Sequence, residues 1–157
     1  SLGGMLASEM TTFIPQLRVI LVSSIKSHEE RSNILKLGRA FPIQHLMPPN
    51  TMQRFTFMWE LAQKKRLQGD GKHMVEMFKD QNDKFMRWAI VNAPKWRGKG
   101  DESRIAHIHG TLDRMFPFRR IKNAIPVHGG THLMVYVKGE EVTRLILQEL
   151  NRIEGVQ

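Results

Sequence analysis

The chain has 157 residues, 41% of them hydrophobic and 25% charged, enough for one folded domain with a real apolar core and no apolar run long enough to span a bilayer. It contains no cysteine, which excludes a disulfide framework, a cysteine nucleophile and thiolate metal sites, and fits a cytoplasmic location. The formal charge of +9 is spread along the sequence, with its densest pieces at Lys64-Lys65-Arg66, at Lys95 to Lys99 and from Arg114 to Lys122. A nucleic-acid surface needs such charge concentrated on one element, so the expectation is a solvated basic surface and no nucleic-acid partner.

Taken in order, Ser1-Leu2-Gly3-Gly4 leads into a short helix of small and apolar residues running to Met10. It carries no charged n-region and does not read as a signal peptide. Arg18 to Ile25, centred on Val19-Ile20-Leu21-Val22, predicts a buried strand of a parallel sheet, because the β-branched run does not alternate with polar residues. From Lys26 to Lys99 the apolar residues recur at helical spacing. Helices are predicted after Ser32, after Pro48-Pro49-Asn50, around Met74 to Phe78, and around Phe85, Trp88 and Val91, the last ended by Pro94. Arg97-Gly98-Lys99-Gly100 reads as a flexible link.

Strand-forming sequence then returns. Arg104 to His109 predicts a strand that enters Gly110-Thr111-Leu112-Asp113. Ala124 to Val127 predicts a short strand whose Pro126 suits a strand end or sheet edge. Gly129-Gly130-Thr131-His132 is a turn, and Glu140 to Ile153 an amphipathic helix with Val142, Leu145, Ile146, Leu150 and Ile153 on one face. The expected fold class is α/β: a parallel sheet contributed by both ends of the chain, with the helical stretch between them as a cap. The boundaries read from this pattern are 1–25 and 101–157 for the sheet portion and 26–100 for the cap.

Three segments carry candidate chemistry. Ser1-x-Gly3 followed by a small-residue helix matches the second half of the G-x-S-x-G turn, in which a serine sits on a tight strand-to-helix corner and the next backbone N–H, here that of Leu2, faces a developing oxyanion. His109-Gly110-Thr111-Leu112-Asp113 has the form H-G-x-x-D after a strand. Asp113 can serve as the acid of a triad, or as a cap of the following turn, and His107 and His109 can be buried histidines satisfied within the core. Gly129-Gly130-Thr131-His132 presents a histidine after a strand end; His128 is the rival, and His132 is preferred because the paired glycines precede it and Leu133-Met134-Val135 follows.

Together these segments resemble the C-terminal part of the α/β-hydrolase superfamily, with a helical cap. The order Ser1, Asp113, His132 is that superfamily's order. The resemblance implies an esterase-like serine hydrolase in which Ser1 attacks an ester or related acyl carbonyl, His132 takes its proton, Asp113 orients His132 and the Leu2 N–H stabilises the oxyanion. It implies no organic cofactor. No metal site is expected either, since His28, His45, His73 and His107 lack ligand spacing. The implied partner is a small ester or acyl substrate. Phe55, Phe57, Met58, Trp59, Met74, Met77, Phe78, Phe85, Met86 and Trp88 are expected mainly as cap core, with some lining an apolar pocket. The family's strands before the elbow have no counterpart in this sequence. The expectation is therefore weak or no activity from this chain by itself, and association through an unpaired strand edge. A non-catalytic binding protein on the same scaffold is the alternative, followed by a basic nucleic-acid-binding module.

Overall fold

The computed structural model describes residues 2–33 and 83–155. The chain divides into two compact units, residues 1–33 with 96–157, and residues 34–95. The helices predicted after Ser32, after Pro48 and around Met74 lie outside the described residues.

The first unit is an α/β fold built on three parallel strands in the order β1-β2-β3: β1 (Val19–Val22), β2 (Ile105–Gly110) and β3 (Ile125–Val127). Val19 pairs with Ile105 and Val22 with Ile108, while Ile108 pairs with Ile125 and Gly110 with Val127. The β-branched residues that marked these segments in the sequence form the ladders. Pro126, which cannot donate a ladder bond, falls on β3, which has no outer neighbour among the described residues.

Side chains alternate across the sheet. One face carries Ile20, Val22, Ile108, Ile125 and Val127, which pack with Met134, Val142, Leu145 and Ile146 into the apolar core. Met134 lies on a short helix, α3 (Met134–Val137), and the other three on the long helix α4 (Gly139–Glu154). Gly155 ends α4 in the left-handed conformation, φ 70°, donating its N–H to Asn151. Glu140 and Glu141 stand in the first turn of α4 and Arg152 in its last, matching the helix dipole. Of the residues expected on its buried face, Val142 is buried while Leu150 is exposed.

The opposite face carries Leu21, His107 and His109 from β1 and β2 and receives helix α1 (Leu2–Met10). Gly4 is the point of closest approach: a methyl group there would stand 2.3 Å from Ser24 Oγ and 3.3 Å from Leu21 Cδ2. The small residue is therefore needed for α1 to lie against the end of β1. The far end of α1 is tied to the segment before β2. Trp96 Nε1 donates to Glu9 at 2.8 Å, Asp101 N donates to Thr11 Oγ1 at 2.9 Å, and Arg104 donates to the Thr11 carbonyl at 2.9 Å.

The stretch read as a flexible link is pinned instead. Gly98 O accepts from His28 N at 3.0 Å, Gly100 N donates to Lys26 O at 2.8 Å, and Lys99 forms an antiparallel bridge with Ser27. Glycine at position 100 is a packing requirement, since a methyl there would meet the Ser8 carbonyl at 2.8 Å.

In the second unit, the described part is helix α2 (Asp83–Asn92), continued by a 3-10 turn at Ala93–Lys95 that contains Pro94. Phe85 and Trp88, expected as cap core, are half exposed and stack on each other with ring centroids 6.0 Å apart, as residues three apart on a helix can. Among the described residues no helix is long and apolar enough to cross a membrane.

Candidate active site

In a parallel sheet all strands end on the same side, and the loops leaving those ends are where open α/β sheets place their ligands. Here those loops begin at Ser23, at Thr111 and at His128. The loop after β1 opens on Ser23, which adopts the left-handed conformation, φ 49°, a strained state for a residue with a side chain. Ser24 follows it against Gly4.

The loops after β2 and β3 are bound to each other. Thr111 N donates to Val127 O at 3.0 Å, Leu112 N donates to Gly130 O at 2.8 Å, and Gly129 N donates to Thr111 Oγ1 at 2.9 Å. Gly129 takes a positive φ of 70°. This cross-linking brings Asp113 and His132 together, with His132 Nδ1 2.9 Å from Asp113 Oδ2.

Asp113 is buried. Its Oδ1 accepts from Met115 N at 2.8 Å and Phe116 N at 2.9 Å, closing a tight turn on the carboxylate. Asp113 is thus both the cap of its turn and the partner of His132, the two roles that the sequence left open. Burial by itself would raise its carboxyl pKa. The His132 hydrogen bond and charge, the Phe116 N–H and nearby His109 outweigh burial and hold the carboxyl below its ordinary range. The acid is therefore ionised at neutral pH, and His132 must donate its Nδ1–H to it. When the ring is neutral, that tautomer leaves a lone pair on Nε2, on the side of the ring away from the carboxylate. Phe116 packs against the same imidazole at 64° with centroids 5.5 Å apart, which limits rotation of the ring. His128, the rival histidine, is exposed.

Beneath the pair lie two more histidines from β2, His107 and His109, both buried. His107 Nε2 bonds Ser24 O at 3.1 Å, and His109 Nε2 bonds Phe116 O at 2.8 Å while standing 3.4 Å from Asp113 Oδ2. Both Nδ1 atoms are buried without a hydrogen-bond partner. Burial, joined by the charges of His109 and Lys26, pushes His107 down to about 3. Burial also lowers His109, and outweighs the Phe116 carbonyl and Asp113, which act the other way. Both rings are neutral at physiological pH and carry their proton on Nε2.

A buried ion pair supports the loop after β1. Glu30 accepts from Lys26 N at 2.9 Å and Lys122 N at 3.0 Å, and its carboxylate lies 3.6 Å from Lys26 Nζ, which also donates to the Lys122 carbonyl. The segment just before β3 is thereby tied to the segment just after β1. Neither His109 nor the Lys26–Glu30 pair was assigned a part in the site from sequence; the i,i+4 spacing of Lys26 and Glu30, and of His109 and Asp113, was the available signal.

Ser1 lies outside the described residues. Leu2 opens α1, whose first-turn N–H groups have no acceptor within the helix. The site thus consists of a buried carboxylate, a partly exposed imidazole hydrogen-bonded to it, and supporting histidines, set at the C-terminal ends of parallel strands. No protein-family model matches the sequence and no curated protein matches it, so the site rests on its own geometry.

Proposed function

We propose that the chain is an α/β-hydrolase-type serine hydrolase, esterase-like in its chemistry, with Ser1 as nucleophile, His132 as base and Asp113 as the acid that orients it. The observation that carries the reading is the 2.9 Å bond from His132 Nδ1 to a buried, ionised Asp113. A carboxylate placed this way fixes the imidazole tautomer and stabilises the imidazolium that forms when the base takes a proton.

In the proposed reaction His132 Nε2 accepts the Ser1 hydroxyl proton as the serine oxygen attacks the acyl carbon. The Leu2 N–H, at the N-terminus of α1, donates to the carbonyl oxygen as it becomes negative. The imidazolium then protonates the leaving alcohol. Water, activated by the same imidazole, releases the acid and restores the serine. The substrate class is a small ester or related acyl compound.

Fluorophosphonate labelling followed by peptide mapping tests this. The label is expected on Ser1, absent in Ser1→Ala and strongly slowed in His132→Ala. A folded protein with the Asp113–His132 bond intact that takes no label at Ser1 sinks the proposal and leaves the non-catalytic binding protein as the better reading.

A further inference from the structure

We propose that His109 is a positioning residue for the Asp113–His132 pair: its single Nε2–H donates to the Phe116 carbonyl while its ring stands against Asp113 Oδ2, and so locks the acid turn to the end of β2. That it serves catalysis rests on the hydrolase reading; that it holds the pair does not.

Asp113 Oδ1 is occupied by the N–H groups of Met115 and Phe116. This fixes the carboxylate relative to its own turn but not relative to the sheet. His109 supplies that second restraint. It stands on β2, paired in register with Pro126 of β3, so its ring has the rigidity of the sheet. Its Nε2 lies 2.8 Å from Phe116 O and 3.4 Å from Asp113 Oδ2, and thus touches both ends of the turn at once. The same Oδ2 receives His132 Nδ1 at 2.9 Å. One carboxylate oxygen is therefore flanked by two imidazoles, one from the sheet and one from the loop after β3. Phe116, whose carbonyl His109 holds, is also the ring packed on His132. A single donor on β2 sets both the carboxylate and the aromatic wall of the base.

Only one protonation state of His109 does this. With its proton on Nδ1, the Nε2 lone pair would face a carbonyl and a carboxylate, three acceptors with no hydrogen between them. With both nitrogens protonated, a buried Nδ1–H would have no acceptor, since that atom has no partner. The groups facing the ring from neighbouring positions are His107, Asp113, His132 and Glu30. Asp113 and Glu30 favour the charged ring, while His132 and burial oppose it. The pocket therefore requires the neutral Nε2–H tautomer, which donates to the Phe116 carbonyl and packs beside the acid without removing its negative charge.

The test is nuclear magnetic resonance of the protein with 15N-labelled histidine, together with two variants. In the unmodified chain, His109 is expected as the neutral Nε2–H tautomer at pH 7, and His132 as a ring with a downfield Nδ1–H resonance. His109→Gln places an amide N–H where Nε2 was and is expected to keep the His132 resonance. His109→Phe keeps the ring shape without a donor and is expected to lose it. In turnover, His109→Phe should lower kcat by about 100-fold through misplacement of the base, with little change in KM, and His109→Gln should recover most of that loss. A wild-type His109 that is charged or carries its proton on Nδ1 overturns the proposal, and that measurement needs no variant to fold. So does an unchanged His132 resonance in His109→Phe, or equal loss of it in both folded variants. If the resonances follow the expected pattern while Ser1 takes no fluorophosphonate, the positioning role stands and the hydrolase reading is what fails.

Discussion

Gly110 and Gly130 are in backbone contact: a methyl group on Gly110 would stand 2.3 Å from the Gly130 carbonyl oxygen and 2.6 Å from its carbon. Gly110 ends β2 just before the loop that carries Asp113, Gly130 lies in the loop that carries His132, and the Leu112 N–H bond to Gly130 O runs beside the contact. The opposed atoms are main chain, so no side-chain rotation relieves the clash. Gly110→Ala is expected to destabilise the fold by about 1–3 kcal/mol and to part the loops, losing the His132 Nδ1–H signal. Chemical denaturation and histidine NMR check both effects. Gly3→Ala is the contrast: nothing lies within 4 Å of a methyl there, and on a helix it should add up to about 1 kcal/mol of stability.

Asp113→Asn keeps the volume of the acid and removes its charge. The backbone N–H groups of Met115 and Phe116 require the amide oxygen on their side. The amide NH2 is then left facing His132, and two donors cannot share that contact. The imidazole must switch its proton to Nε2, which takes away the lone pair needed by a base. The expected loss in Ser1 labelling rate or ester turnover is about 10⁴-fold, the magnitude found for the same change in a serine-protease triad, with a lowered melting temperature because the ionised carboxylate stabilises the fold at neutral pH. Stopped-flow or gel-based labelling kinetics provides the measurement.

Stability should fall on mild acidification, because His107 and His109 are buried neutral. His107 has a folded pKa of about 3 against an ordinary value of 6.5. Above pH 6.5 neither the folded nor the unfolded state is protonated at this ring, and the site costs nothing. Between pH 6.5 and 3 the unfolded chain binds a proton that the folded one refuses, so stability declines as pH drops through that window. His109, also lowered, acts in the same direction. Asp113 adds its share lower still: its depressed carboxyl stabilises the fold above the ordinary carboxylate range, and that contribution is lost as pH falls through its folded value. Melting temperatures followed from pH 8 to pH 4 should decline, with His107→Gln declining less steeply. A flat profile would contradict the buried neutral assignment.

The Lys26–Glu30 pair predicts an asymmetry. Glu30→Gln leaves the Lys26 ammonium buried beside the Lys122 carbonyl without its carboxylate partner, and is expected to cost about 3–5 kcal/mol. Replacing both partners, Lys26→Met with Glu30→Gln, removes the stranded charge and should recover part of that loss. Urea unfolding of the two single variants and the double variant forms the cycle that measures the coupling.

Much of the sheet portion was legible because its signals are local. A β-branched run made β1, the paired glycines marked the turn before His132, and the apolar spacing of Val142, Leu145 and Ile146 traced α4. The stretch Arg97–Gly100 was misread for an equally physical reason. Glycines that permit freedom in one setting permit close packing in another, and only the position of Ser8 above Gly100 and of Lys26 beside it shows which applies. His109 was visible in the H-G-x-x-D spacing, but its task depends on Phe116 and Asp113 folding back over β2.

The sequence by itself determined the α/β class, the strand segments, and which carboxylate and which imidazole were the candidates, since each follows from neighbouring residues and their spacing. Only the tertiary structure decided that Asp113 is buried and ionised, that it meets His132 and not His128, and that His109 stands beneath them as a neutral donor. Those outcomes depend on two loops from different strands being held together at Gly110 and Gly130. Burial, hydrogen bonding and charge act there across the fold, and no pattern confined to one stretch of chain contains them.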